Sequence, residues 1–280
     1  MDGGAHVTRD LVERIGWAAF NPTKPTYHNL VREYAFNDKN KIDFDWIEAN
    51  IDYINDLSED DRKLVTFYTK YGDEFLNSFM RKSLSSQKIE SILSKATNTA
   101  SKQFLKNHLA ILHARINHPS NIKHTMKPYM TILNRVILGA PPLQREIKVF
   151  RGVKDMKWLS NGTHTEPGCM SSTIFLPATL QFMEDEFTTN PTKILCCLLE
   201  IRVRVGTPCA FIAPASKKRG EYEVLFPPGT VLKVLSKSEK YLVDEINPDH
   251  KEVERIIIET HLYPESGIPF RKYTVYEAVI

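Results

Sequence analysis

The hydrophobic period of the chain changes once, near residue 145, and this change restricts the fold more than any other feature of its 280 residues. Up to about residue 140, apolar side chains recur three and four apart, the spacing that lines one face of a helix. Phe44, Ile47, Ile51 and Ile54 share such a face over 42–57. Ser58 followed by Glu59, Asp60 and Asp61 predicts a helix start, with serine as cap and acids at the positive end of the helix dipole. That helix carries Leu64, Phe67, Tyr68 and Tyr71 until Gly72 interrupts it, and Phe75 and Phe79 continue the stripe on the next. Further helices are expected near 86–95, 100–117 and 127–138, the last stopped by Gly139 and Pro141–Pro142.

Beyond residue 145 the period becomes two and β-branched residues multiply. KVFRGV (148–153), CMSSTIF (169–175), KILCCLLEIRVRV (193–205), CAFIA (209–213), EYEVLF (221–226), VLKVLS (231–236), VERIIIETHLY (253–263) and KYTVYEAVI (272–280) all read as strands. Only PATLQFMEDEF (177–187) reads as a helix among them. The expected class is α+β: an N-terminal helical layer packed on a mostly antiparallel sheet or two-sheet sandwich.

Composition narrows the function classes. Hydrophobic residues make up 42% of the chain and charged ones 25%, which excludes wholesale disorder. The 37 Lys and Arg against 34 Asp and Glu leave +3, too little to argue for nucleic acid. No apolar run approaches the roughly 20 residues of a membrane helix. The segment MDGGAHVTRDLVERIGWAAF carries acids where a signal peptide has a basic start, so a cytoplasmic protein, or one delivered into a host cytosol, is expected. Cys169, Cys196, Cys197 and Cys209 form no C-x-x-C pair, and no histidine spacing suits zinc, so no metal is expected.

Three segments carry chemistry. In RGEYEVLFPPGT (219–230), strand alternation sends Tyr222, Val224 and Phe226 to one side and Glu221 and Glu223 to the other. A rise of about 3.3 Å per residue puts the two carboxylates roughly 6–7 Å apart. Such a pair is either a solvated strand edge or the negative charge that an oxocarbenium-like transition state requires. In KVFRGV, Arg151 is either a structural ion-pair residue or a bidentate donor to phosphate, with Gly152 letting a ligand approach the backbone. In PGCMSSTIF, the hydroxyls of Ser171, Ser172 and Thr173 suit strand-edge hydrogen bonding or a polar site.

Taken in order, F-R-G, S-S-T and E-x-E resemble the Arg–Ser–Glu signature of arginine-specific mono-ADP-ribosyltransferases. The resemblance is to the class of the enzymatic components of clostridial binary toxins and related bacterial effectors. The family's S-T-S appears as Ser171–Ser172–Thr173, and its E-x-E as Glu221–Tyr222–Glu223. LLEIRVRVGTPCAFIA is similar to the strand pair before the E-x-E loop, and YTKYGDEFLNSFMR (68–81) to the family's Y-T…I-N-x-x-L-R helix. The similarity covers about 58–280: a helical lobe over 58–140 and a β-sandwich with an NAD cleft over 145–280. Residues 1–57 are expected to form a helical extension whose aromatics, Trp17 and Trp46 among them, pack on the lobe.

The resemblance implies transfer of ADP-ribose from NAD, used as a substrate without a metal, to an exposed arginine of a target protein. It implies Glu223, Glu221 and Ser171 as catalytic residues. Glu223 would stabilise the oxocarbenium ion, Glu221 would deprotonate the acceptor guanidinium, and Ser171 would fix the rotamer of Glu223. Arg151, Gly152, Ser172, Thr173, Phe182 and Asn77 would bind NAD, with Arg151 on the diphosphate and Phe182 stacked on the nicotinamide. Arg81 matches the helical motif as well. No nucleic acid and no membrane anchor are implied. Two departures stand out: APASKKRG (213–220) lacks the aromatic ring that toxin-type members often carry before E-x-E, and Asp73 stands where the family helix often has tyrosine. The rivals are an NAD glycohydrolase using water and a catalytically silent binding module on the same fold.

Overall fold

A computed structural model describes residues 43–81, 83, 85, 87, 91, 119–153, 162–176, 178–179, 194–216, 219–242 and 251–260. Helix α1 (Phe44–Asn55) begins where Asp43 Oδ1 accepts from the Trp46 amide at 3.2 Å. Helix α2 (Glu59–Phe67) is capped by Ser58, whose Oγ accepts from the Asp61 amide, as the S-E-D-D pattern predicts. Gly72 does not end the helical run. The chain widens through a π-turn (Tyr68–Gly72) and continues as α3 (Asp73–Met80). Glycine is needed in that turn because a Cβ at residue 72 would lie 2.9 Å from the Phe67 ring. Helix α4 (Pro119–Gly139) tolerates Pro128 within it and ends at the expected glycine. The helices expected over 86–95 and 100–117, most of that over 177–187, and the strand over 272–280 lie outside the described residues. Among the described residues, no helix is long and apolar enough to cross a membrane.

Among the described residues eight strands follow: β1 (Ile147–Val153), β2 (Thr163–Glu166), β3 (Met170–Thr173), β4 (Ile194–Val203), β5 (Ala210–Phe211), β6 (Glu223–Phe226), β7 (Thr230–Leu242) and β8 (Lys251–Thr260). Their order is β2-β7-β8-β4-β1-β3-β6-β5. Within it, β1 and β3 meet through one registered pair, Phe150 opposite Thr173, so five strands and three strands form two sheets hinged at that point. Every pairing is antiparallel except β4 with β8. The α+β expectation of helices on a two-sheet, mostly antiparallel structure is borne out.

The three-stranded sheet is buried on both faces. Leu225 joins Tyr68, Leu76, Met126 and Leu133 in a core shared with the helices. Val224 and Phe226 join Val149, Leu199, Ile201 and Leu232 in a second core, against the five-stranded sheet. This explains why β6 is buried at every position.

The free edge of the smaller sheet is closed by a side chain. Asn50, fully buried, donates to the Trp46 carbonyl at 2.9 Å and accepts from the Phe211 amide at 3.0 Å. Asn50→Ala orphans that buried amide, so unfolding in urea should occur about 2 kcal/mol earlier, with an unchanged m-value.

Candidate active site

Arg151 lies in β1 opposite Leu199 of β4, where the two sheets diverge. Its Nη1 donates to the Ser171 carbonyl, so the arginine is clamped to the serine strand through backbone. Burial works against its charge and lowers its pKa, while Glu166 and Glu223 support the charged form and Arg81 opposes it. Gly152 follows on β1, half-buried, opposite Leu198.

β3 and β6 pair so that Ser171 faces Leu225, Ser172 faces Val224 and Thr173 faces Glu223. Opposed residues share a face. Ser171, Thr173 and Glu223 are therefore on the side of the three-stranded sheet that meets the helices. Glu223 is buried there; the Tyr68 hydroxyl is pushed well above its usual pKa by burial, with Cys169 and then Glu223 adding to the effect. Ser172 Oγ is buried with no hydrogen-bond partner among the described residues. Thr173 Oγ1 accepts from the Phe175 amide at 2.9 Å and so closes the turn that leaves β3.

Glu221 sits differently from the strand expectation. It ends a 3₁₀ turn (Arg219–Glu221), half-exposed, and β6 begins only at Glu223. Tyr222 between them has φ of 46°, a left-handed conformation that an aromatic residue rarely adopts and that costs about 1–3 kcal/mol. Its ring packs edge-on to Phe175, with centroids 5.5 Å apart, and is buried with Val224 and Phe226 as expected. The simple alternation that would put both glutamates on one strand face is thus broken at Tyr222.

A cleft of about 350 Å³ opens beside Arg151, lined also by Arg81, Val153, His164, Glu166, Pro167, Met170, Leu199 and Leu232. Arg81, at the C-cap of α3, donates from Nε to Glu166 Oε1 at 2.9 Å. The same oxygen accepts from the Gly168 amide at 3.0 Å. Asn77, one turn before Arg81, donates to the Tyr68 hydroxyl at 3.2 Å, and its Oδ1 has no hydrogen-bond partner among the described residues. A Cβ on residue 168 would lie 2.8 Å from that Oδ1, so a side chain there would push the Asn77 amide out of its present position. Burial, aided by Arg81 and resisted by Glu166, lowers the His164 pKa.

The structure therefore gathers Arg151, Arg81, Asn77, Ser171 and Glu223 around the junction of α3, β1, β3 and β6, with Gly152 beside them, Ser172 on the opposite face of β3 and Glu221 on the adjoining turn. Phe182 lies outside the described residues. Sequence reasoning missed Glu166 and His164. The stretch THTE does alternate, which puts the two on one strand face ahead of Pro167–Gly168, but its four polar-rich residues gave little sign of a buried strand.

No curated protein matches the chain. Among solved structures, it is similar to Plx2a, an ADP-ribosyltransferase toxin from Paenibacillus larvae, at 13% identity over 78% of this chain and 94% of that one, TM-score 0.49. It is similar to the Vis toxin of Vibrio splendidus at 16% identity over 78% and 81%, TM-score 0.46. The Clostridium limosum C3 exoenzyme follows at 14% identity over 78% and 93%, TM-score 0.47. The family model described as ADP-ribosyltransferase exoenzyme matches residues 44–265, which include every strand and the cleft described above. The chain belongs to the ADP-ribosyltransferase exoenzyme family, whose members use NAD as the donor of ADP-ribose.

Proposed function

We propose that this protein transfers ADP-ribose from NAD to arginine side chains of a target protein. What supports the reading is a cleft lined by Arg81 and Arg151, together with a buried Glu223 whose charge favours that of Arg151. Two guanidiniums in one cleft suit a diphosphate, since each presents a planar fork of donors to phosphate oxygens. The buried, unpartnered Ser172 Oγ and Asn77 Oδ1 offer further polar contacts to a ribose or amide.

In this reading Arg151 holds the diphosphate and Arg81 assists it. Gly152 presents backbone to the nicotinamide end, and Thr173 shapes the wall through its turn. The bond from the ribose anomeric carbon to nicotinamide breaks, and its electron pair leaves with the nicotinamide. Glu223 stabilises the resulting oxocarbenium ion and binds the ribose 2′-hydroxyl, while Ser171 fixes its side chain. A guanidinium nitrogen of the acceptor attacks the opposite face, inverting the carbon, and Glu221 takes its proton. A guanidinium is cationic and not nucleophilic until that proton is accepted. The half-exposed position of Glu221, on a turn and off the strand, suits a group that meets a second protein.

Glu221→Gln separates this reading from simple NAD hydrolysis. Water needs less activation than guanidinium, so the variant should lose about 10²-fold or more in protein labelling while retaining NAD hydrolysis. Labelled NAD incubated with a host lysate, followed by mass-spectrometric mapping, checks both points. Normal labelling by the variant, or a modified residue other than arginine, would overturn the assignment.

A further inference from the structure

We propose that Glu166 sets the charge selectivity of the cleft, discriminating NAD from more highly charged adenine nucleotides. The inference rests on the NAD reading above and adds a residue to which that reading gives no role.

Glu166 is an acid in the wall of a cleft that also presents Arg81 and Arg151. Its side chain is 8% exposed, and one oxygen accepts from both Arg81 Nε at 2.9 Å and Gly168 N at 3.0 Å. It is also close enough to Arg151 to favour that guanidinium's charge. His164 faces the same space, and burial, opposed by Glu166 and aided by Arg81, disfavours its cationic form. With His164 neutral, the cleft side chains sum to one net positive charge rather than two.

That difference acts unequally on ligands. NAD carries about one net negative charge, because its two phosphates are offset by the pyridinium cation, whereas ADP carries about three. Coulomb energy scales with ligand charge, so a second uncompensated guanidinium would favour ADP far more than NAD. A carboxylate buried beside the phosphate-binding arginines lowers cleft stability toward anions in general. Its benefit is that the polyanions lose most. The Gly168 amide holds the carboxylate in place, and the carboxylate in turn holds Arg81 at the wall.

The measured quantity is the ratio of the ADP dissociation constant to the NAD KM, taken in magnesium-free buffer at low salt. Glu166→Gln keeps an oxygen that can accept from Arg81 and Gly168 but removes the charge. The ratio should fall about tenfold, and the fall should collapse near 0.5 M salt. Arg81→Gln should move the ratio the other way, and the double variant Glu166→Gln/Arg81→Gln should return it toward wild type. A Glu166→Gln protein that loosens ADP and NAD equally, or leaves the ratio unchanged, would overturn the proposal. If Glu166→Gln does not fold, an unchanged ratio in Arg81→Gln overturns it instead. A wild type that releases no nicotinamide from NAD defeats the functional reading alone; the charge effect is then read from ADP against adenosine.

Discussion

Glu223→Gln should leave a folded protein that neither releases nicotinamide from NAD nor labels any acceptor, a loss of about 10³-fold or more in both. The two losses travel together because Glu223 acts on the bond-breaking step that hydrolysis and transfer share, unlike Glu221. Stability should not follow activity. Glu223 is 5% exposed, and a carboxylate so placed is costly to hold even with partners. Glutamine has the same shape without the charge, so the thermal midpoint should stay level or rise, the usual sign of a residue kept for activity at the expense of stability. Nicotinamide release and a thermal melt on the same preparation decide the matter. Residual hydrolysis above about a tenth of wild type would remove Glu223 from the chemistry.

How far the sequence discloses this arrangement depends on whether the relevant forces are local. The helix start at Ser58 and the stop at Gly139 were legible because caps and breakers act over one turn. The long strands β4 and β8 were legible because their apolar runs exceed any turn, whereas β7 was legible only over 231–236, since its continuation through Lys237–Lys240 is polar and carries no strand signal. Gly72 was misread as a break, since a π-turn differs from an interruption only in how the helix bonds shift around it. The E-x-E segment shows the sharper limit. Alternation predicted one strand through Glu221, but the φ of 46° at Tyr222 starts the strand two residues later, and nothing in the letters E-Y-E announces a left-handed tyrosine.

The cleft was half-legible for the same reason. Arg151, Ser171 and Glu223 stand in motifs and were found by them. The ion pair of Arg81 with Glu166 spans 85 positions of sequence, and the Gly168 amide that shares the same carboxylate oxygen comes from the turn beyond β2. Neither partner has a local pattern that names the other. Pairs of this kind come from tertiary packing, which places the two sheets' divergent ends beneath the last turn of a helix.

The second large effect is expected at Arg151. Arg151→Lys keeps a positive charge in the cleft, so a purely Coulombic role would survive it. The role inferred here would not, because it needs a fork. One Nη is already spent on the Ser171 carbonyl, and the remaining N–H groups must reach the diphosphate at the same time. A lysine ammonium is a point charge on a flexible stem and cannot hold both in fixed geometry. Losing one or two charge-assisted bonds at about 1.5–3 kcal/mol each should raise the KM for NAD about 100-fold, since 1.4 kcal/mol is tenfold. The fold should lose about 1–3 kcal/mol, because Arg151 is largely buried and the Ser171 carbonyl loses a charged donor. Arg151→Gln, which lacks charge and fork alike, should bind NAD more weakly still at comparable stability. Calorimetric NAD titration beside urea unfolding tests the pair. If Arg151→Lys bound NAD as wild type does, the arginine would be acting through its charge alone, and the diphosphate grip would have to be reassigned to Arg81.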